Sequence, residues 1–318
     1  MMNIKPQLAE DAILDQVRFP CIVQPKIDGV RAMNLGGTLT GRSLDPFKGF
    51  GITDHFSHPD FIGFDGEMTL GDNASCGNRL CSMTTGAMGR FKGVTEMADM
   101  HWWVFDYLRP ETIELPYIER YKHMLRRLDY MGGLSRVRAV PLSFAFDAEH
   151  LRDFITKHAD DGYEGTIIRN PHAIYKPGRA TEKGQELWRV KPWGDFEILV
   201  TGITEGNANS NEAKTNTLGR TERSSAQAGM VPNGQVGSIQ GTLVKDLVVN
   251  SGSKVIPAGT PVTAGSGKMT ADEAAYYFTH PDEIVGHFAK IKTMLHGVKD
   301  LPRFPTFESL RLKQDMSD

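Results

Sequence analysis

Up to Lys191 the apolar residues fall into short runs separated by glycine, proline and acidic turns. The run Phe19-Pro20-Cys21-Ile22-Val23 reads as a strand leading to Lys26. Residues 30–34 and 38–42 read as a hairpin turned at Gly36-Gly37, and residues 61–65 and 67–70 as a second turned at Asp65-Gly66. Trp102-Trp103-Val104-Phe105 has the look of a short buried strand. Pro116 opens a helix with Ile118, Tyr121, Leu125 and Leu128 on one face, and residues 151–159 form another that closes at Asp160-Asp161-Gly162. Residues 166–169 and 187–191 add two more strands.

At Lys191-Pro192-Trp193-Gly194 the pattern changes. Short strand-like pieces follow at 196–203, 236–245, 247–249 and 261–264, with a polar, glycine-rich stretch at 205–234 expected to be a loop. Such spacing suggests a small β-barrel of the OB kind. Residues 271–278 and 284–294 read as helices, and a last strand is expected at 307–312. These readings divide the chain near Gly194, into residues 1–194 and 195–318. A length of 318 residues is enough for two separate cores.

Composition narrows the setting. No apolar run reaches the ~18 residues of a membrane span, and Met1-Met2-Asn3-Ile4-Lys5-Pro6-Gln7 has no apolar signal stretch, so a cytosolic protein is expected. Cys21, Cys76 and Cys81 cannot pair off into a disulfide framework and lack the partners of a zinc site. A net charge of −3 excludes binding to DNA by bulk charge, yet leaves room for local basic stripes. His55 and His58 make a poor metal pair in a proline-flanked loop, and a structural role is expected for them.

The segment Lys26-Ile27-Asp28-Gly29-Val30-Arg31 carries the most chemistry. A lysine amine placed before a tight turn can attack a phosphorus atom and hold the product as a phosphoramidate. The same spelling also suits a solvated Lys and Arg around an Asp-Gly hairpin turn. Five further segments follow in order: Gly41-Arg42-Ser43, Phe64-Asp65-Gly66-Glu67, Trp103-Val104-Phe105-Asp106, Glu164-Gly165-Thr166-Ile167-Ile168-Arg169 and Trp188-Arg189-Val190-Lys191.

This set resembles the motifs of the covalent nucleotidyltransferases, which include ATP-dependent DNA ligases, RNA ligases and mRNA capping enzymes. The likeness is greatest to the small two-domain DNA ligases of bacteriophages, through 218–225, Gly237-Ser238-Ile239 and Pro302-Arg303-Phe304-Pro305-Thr306-Phe307. It implies an α+β fold: a nucleotidyltransferase (ATP-grasp-like) domain of antiparallel sheets with flanking helices, followed by an OB-fold barrel. No DNA-clamping domain is expected before it, and no zinc or BRCT-like tail after it.

The resemblance further implies that Lys26 takes AMP from ATP, with Mg²⁺ held by Glu67 and Glu164. It places Asp28 at a metal or the 3′-hydroxyl, Arg31 and Glu67 at the ribose, and Phe105 under the adenine. Lys191 and Arg189 touch the α-phosphate, Arg189 standing where the family usually has lysine. Arg42 grips the 5′-phosphate of a nick, Arg220 and Arg223 contact the DNA backbone, and Arg303 orients pyrophosphate. A free lysine has a pKa of ~10.4, and Lys191 with Mg²⁺ is expected to lower that of Lys26 while Asp28 opposes. The implied partner is nicked duplex DNA, met by a monomer in the cytoplasm, a host bacterium's if the source is viral. The alternatives are an RNA ligase, a GTP-using capping enzyme and a non-catalytic OB-fold DNA-binding protein.

Overall fold

The computed structural model describes residues 4–72, 74, 80–89, 99–132, 136–250, 252, 254–295, 298 and 300–311. Two compact units emerge, residues 1–191 with 216–219, and residues 192–215 with 220–318. They part just ahead of the expected Gly194, because Trp193 and Gly194 are already paired with Met294 and Thr293 in a strand.

Nine strands carry the argument in the first unit: β1 (Cys21–Lys26), β2 (Val30–Asn34), β3 (Leu39–Thr40), β4 (Phe64–Leu70), β5 (Met100–Tyr107), β6 (Val137–Ala139), β7 (Ser143–Ala145), β8 (Gly165–Arg169) and β9 (Trp188–Val190). Four helices accompany them: α1 (Phe50–Phe56), α2 (Leu80–Gly89), α3 (Tyr117–Tyr130) and α4 (Ala148–Asp160). One sheet runs Glu10–Asp11, β9, β8, β1, β7, and the other β3, β2, β4, β5, β6. β1 is buried on both sides, which is why its apolar run shows no alternation. Cys21 and Val23 pack with Leu151, Ile168 and Trp188, whereas Ile22 joins the core of Trp102, Met68 and Tyr121.

Three expectations change here. The Asp65-Gly66 pair is not a turn: β4 runs straight through it. Gly66 is needed because a Cβ there would lie 2.4 Å from the Trp103 carbonyl oxygen. The inner stripe of α3 is Tyr117, Arg120, Tyr121 and Met124, leaving Leu125 exposed. A counter-charge for Arg120 rotates that helix, and apolar periodicity could not show it. Finally, α1 contains His55 and Phe56 where a loop was expected, and α2 was not anticipated. The His55 ring lies edge-on to Phe56 at 4.7 Å, a packing role.

The second unit is a closed barrel. Its strands are β10 (Trp193–Asn209), β11 (Met230–Leu243), β12 (Pro261–Gly265), β13 (Phe288–Met294) and β14 (Arg303–Arg311), with α5 (Ala271–Thr279) between β12 and β13. The order β10-β11-β12-β14-β13 closes on itself. β12 and β14 meet in parallel at Gly265 and Thr306. This is OB-fold topology. Ile198, Ile239, Val262, Ala289, Ile291 and Phe307 fill the interior.

The expected helix at 284–294 is a correction: residues 288–294 are β13. Ile284, Phe288 and Ile291 fit a helical period, but Ala289 and Ile291 also alternate with Lys290 and Lys292, and barrel closure selects the strand. The expected loop at 205–234 is a second one. β10 and β11 continue as a long ribbon, tipped by the hairpin Ala213–Thr215 with Thr221–Arg223. That hairpin is exposed along its length, so no apolar stripe announces it. The last strand ends at Arg311, and Leu312 lies outside the described residues, as does Cys76. Among the described residues no helix is long and apolar enough to cross a membrane.

Near the end of α4, buried His158 places Nδ1 3.0 Å from the Thr166 hydroxyl and meets the Tyr163 ring at 5.8 Å. Burial pushes its imidazole down to about 4. An unfolded imidazole titrates near ~6.5. Between those two values the unfolded chain binds a proton that the fold refuses, so stability falls as the pH drops through this window. His158→Gln keeps a partner for Thr166 and should lose about 2 kcal/mol less than the parent between roughly pH 7.5 and 4.5, read by urea unfolding. Equal acid losses would clear the imidazole of responsibility.

Candidate active site

Register brings the motif residues together. Lys26, the last residue of β1, pairs with Gly165 at the start of β8. The Glu164 N–H donates to the Lys26 carbonyl at 3.0 Å, which sets the two side chains side by side. Lys26 Nζ donates to Glu164 Oε2, and Lys191 Nζ donates to Oε1 at 2.5 Å. Lys191 arrives there because it follows β9, whose Val190 pairs with Thr166. A Cβ on Gly165 would come within 2.1 Å of the Val190 carbonyl oxygen, so only glycine lets β8 and β9 approach. Gly29 has a similar reason: a Cβ would lie 2.2 Å from the Met68 carbonyl oxygen and 2.8 Å from Glu67 Cγ. The Cys81 thiol donates to the Gly29 carbonyl at 3.3 Å from α2. Asp28 is buried in the same turn.

Strand alternation sorts the second sheet. Phe64, Met68, Trp102 and Val104 enter the core, which leaves Asp65, Glu67, Trp103 and Phe105 on the opposite side. Arg31 pairs with Glu67 in register. Its guanidinium forks onto Asp65, at 2.5 Å from Nε and 2.6 Å from Nη2, and lies 4.7 Å from the Phe105 ring centre. Asp65 in turn pairs in register with Asp106, which holds Arg120 by two hydrogen bonds of 2.8 and 2.9 Å. Half-buried Phe105, Trp103 and Tyr163 gather around Ile27 and Val140.

Trp103 therefore departs from the expectation that it shares the core with Trp102. Its indole N–H donates to the Thr69 hydroxyl at 2.9 Å on the Phe105 side. Sequence reading also missed the roles of Asp65, Asp106 and Arg120. The only signal was two acids beside Gly66 and Phe105 in otherwise apolar strands.

The other expected site residues are more scattered. Arg42 is exposed, and its charge acts on Glu67. Arg189 is turned onto Asp11 at 2.7 Å, on the edge of the sheet, and does not share Glu164 with the two lysines. Arg220, Arg223 and Arg303 belong to the second unit. Arg220 and Arg223 sit on the exposed ribbon tip, where Arg223 donates to the Asn211 carbonyl. The Arg303 guanidinium lies 5.2 Å from the ring of exposed Phe304, which has a left-handed φ of 52°.

Electrostatics correct one further expectation. Burial pulls the Lys26 ammonium toward neutrality, but Glu164, Glu67 and Asp28 more than offset it, so its pKa stands above that of a free lysine. For Glu164, burial raises the carboxyl, yet Lys26 and Lys191 outweigh that and hold it ionised. Burial dominates at Glu67 and pushes it up to about 7, even with Lys26 and Arg31 opposing. The three groups thus stand as a lysine held protonated, a carboxylate held ionised and a carboxyl pushed up to about 7.

Among the described residues no three His, Cys, Asp or Glu side chains converge to hold a metal. The carboxylates present are hard donors of the kind Mg²⁺ takes one or two of, leaving other positions to water and phosphate. They fit such an ion on that basis.

A family model described as "ATP dependent DNA ligase domain" matches residues 6–191. A DNA ligase of African swine fever virus is 24% identical over 118 residues, which cover 37% of this chain and 28% of that protein. The matched segment thus spans about 28% of that curated relative's length. Among solved structures, a Chlorella virus DNA ligase-adenylate superposes with a TM-score of 0.51 at 24% identity, covering 98% of this chain and 99% of that one. A structure described as a Lig E DNA ligase gives a TM-score of 0.65 at 19% identity over 96% of this chain and 98% of that one. Both likenesses are of fold.

The buried fork is the part most sensitive to deletion. Asp106→Ala leaves Arg120 buried without its carboxylate and should cost roughly 3–5 kcal/mol in urea unfolding of the first unit. Asp161→Ala, which breaks the exposed pair with Lys157 at 2.7 Å, should leave the unfolding midpoint nearly unchanged.

Proposed function

Since this chain belongs to the family of ATP dependent DNA ligase domains, we propose that it seals nicks in duplex DNA through a lysyl-AMP intermediate. The observation that carries this reading is the meeting of Lys26, Glu164 and Lys191 in one pocket, from the ends of three neighbouring strands.

Lys26 Nζ, once deprotonated, attacks the α-phosphorus of ATP. A P–N bond forms, and the bond to the pyrophosphate oxygen breaks. The 5′-phosphate at a nick then attacks the same phosphorus, breaking the P–N bond and returning a proton to the amine. Last, the 3′-hydroxyl loses its proton, attacks the activated 5′-phosphorus and expels AMP.

Lys191 neutralises the α-phosphate, and Phe105 stacks on the adenine. Arg31 and Glu67 flank the ribose, Arg42 takes the 5′-phosphate, and Asp28 positions the 3′-hydroxyl. Glu67 and Glu164 are the carboxylates to hold Mg²⁺, whose chemistry is the neutralisation of phosphate oxygens. Glu164 does so only after one of its lysines leaves. Arg189 assists the phosphate only by leaving Asp11.

The first unit adenylylates, and the second binds DNA as a barrel, with Arg220 and Arg223 on the backbone and Arg303 orienting pyrophosphate in the first step. The proposed hinge for such work is Lys191-Pro192, a reading supported by the pairing of Trp193-Gly194-Asp195 with β13. The protein works as a monomer in the cytoplasm.

Incubation with α-labelled ATP or GTP and Mg²⁺, followed by a denaturing gel, tests the reading. Label from ATP on the parent and none on Lys26→Ala is expected, together with sealing of nicked DNA. Label from GTP alone means capping chemistry, and sealing of RNA alone an RNA ligase. No label at all leaves a binding protein. Glu164→Ala should abolish self-labelling, whereas Arg42→Ala should retain it and lose sealing. If Arg42→Ala loses label as completely as Glu164→Ala, the assigned division of labour is wrong.

The raised pKa of Lys26 sets a pH dependence. The reactive amine is a small fraction that grows about tenfold per pH unit below its pKa. Initial self-labelling rates should therefore climb from roughly pH 7 to 9 without a plateau. A flat profile across that range means that the amine is already neutral in the pocket.

A further inference from the structure

Arg169 closes the Glu164–Arg169 segment, and no role assigned so far uses it. It is 3% exposed, on the face of β8 that pairs Ile167 with Gln24 and Arg169 with Ile22. A buried guanidinium is normally met by a full set of hydrogen bonds, since leaving it short is costly. Here the nearest carboxylate is Asp106 at 3.9 Å, already forked onto Arg120, and Arg169 Nε has no hydrogen-bond partner among the described residues. What the guanidinium does touch is aromatic. Its carbon lies 4.2 Å from the Tyr117 ring centre and 5.4 Å from that of Phe105.

The same two rings are tied together otherwise. The Tyr117 hydroxyl, with one proton to donate, lies 2.8 Å from the Phe105 carbonyl oxygen and 2.9 Å from Gln24 Oε1. Phe105 is thus held at its backbone by Tyr117, and its ring lies against two cations, Arg31 and Arg169. Arg31 is anchored by Asp65, whereas Arg169 lies 3.9 Å from Asp106, the register partner of Asp65.

We infer that Arg169 is a positioning residue for nucleotide binding: it fixes the plane of the Phe105 ring through its contacts with Phe105 and Tyr117, and so sets affinity for ATP without touching the reacting atoms. A cation against an aromatic face is directional, and a planar guanidinium can stack on a ring where a lysine ammonium only points at it. A ring fixed beforehand avoids the ordering cost when the base arrives. The inference rests on the proposed stacking of adenine on Phe105, and the experiment separates the two.

Initial rates of self-adenylylation against ATP concentration should be measured for Arg169→Met, Arg169→Lys, Phe105→Leu and the double variant Phe105→Leu/Arg169→Met. Arg169→Met should raise KM for ATP about tenfold with kcat within about twofold, and Arg169→Lys should fall between it and the parent. Because Arg169 acts through the ring, the double variant should be no worse than Phe105→Leu alone. Arg120 still satisfies Asp106 in these variants, and a thermal melt checks the fold. Should Arg169→Met not fold, Arg169→Lys decides by the same KM-against-kcat split. If Phe105→Leu raises KM but the Arg169 variants do not, or if the effects multiply in the double variant, the positioning role is overturned. An unchanged KM in Phe105→Leu instead overturns the stacking of the base, and this inference with it.

Discussion

A single carboxylate shared between two ammonium groups organises the pocket. Glu164 gives one oxygen to Lys26 and the other to Lys191. The arrangement neutralises only part of the charge, since two cations face one anion, and it keeps Lys26 protonated. A neighbouring carboxyl at Glu67 is pushed up to about 7 because burial outweighs the cations there. A polyphosphate entering this pocket meets two lysines whose common partner is one carboxylate. The proposed chemistry then requires that Lys26 lose both its proton and its hold on Glu164.

The geometry depends on close backbone approach more than on side-chain fit. Gly29, Gly66 and Gly165 each stand where a Cβ would overlap a carbonyl of the adjoining strand. They bring β1, β4, β8 and β9 near enough for Lys26, Glu67, Glu164 and Lys191 to meet. Behind them a second tier of charge, Arg31 on Asp65 and Arg120 on Asp106, is buried and forked. A guanidinium fork suits such a place because its planar geometry matches a carboxylate. The tier supports the Phe105 side of the pocket rather than supplying surface stability.

The meeting of Lys26, Glu164 and Lys191 was legible from spelling, because each lies next to a glycine turn or a strand end that marks its neighbourhood. Arg120 was not, since an arginine on a helix reads as a solvated residue until its acid is located. Asp65-Gly66 misled for a related reason: glycine in a strand for close packing has the same letters as glycine in a turn. In the second unit, residues 288–294 satisfied both a helical and a strand period, and residues 205–234 satisfied neither. Pairing with distant strands decided both.

The chain alone determined the motif order around Lys26 and the barrel-forming second half, because those features are written in local order and in alternation of apolar residues. Tertiary structure decided which charge answers which. Asp106 finds Arg120 and Lys191 finds Glu164 only after strands far apart in the chain align, and strand register is a non-local property. A carboxylate's pKa and a lysine's protonation depend on those distances and on burial, so they could not be read before the sheets were in place.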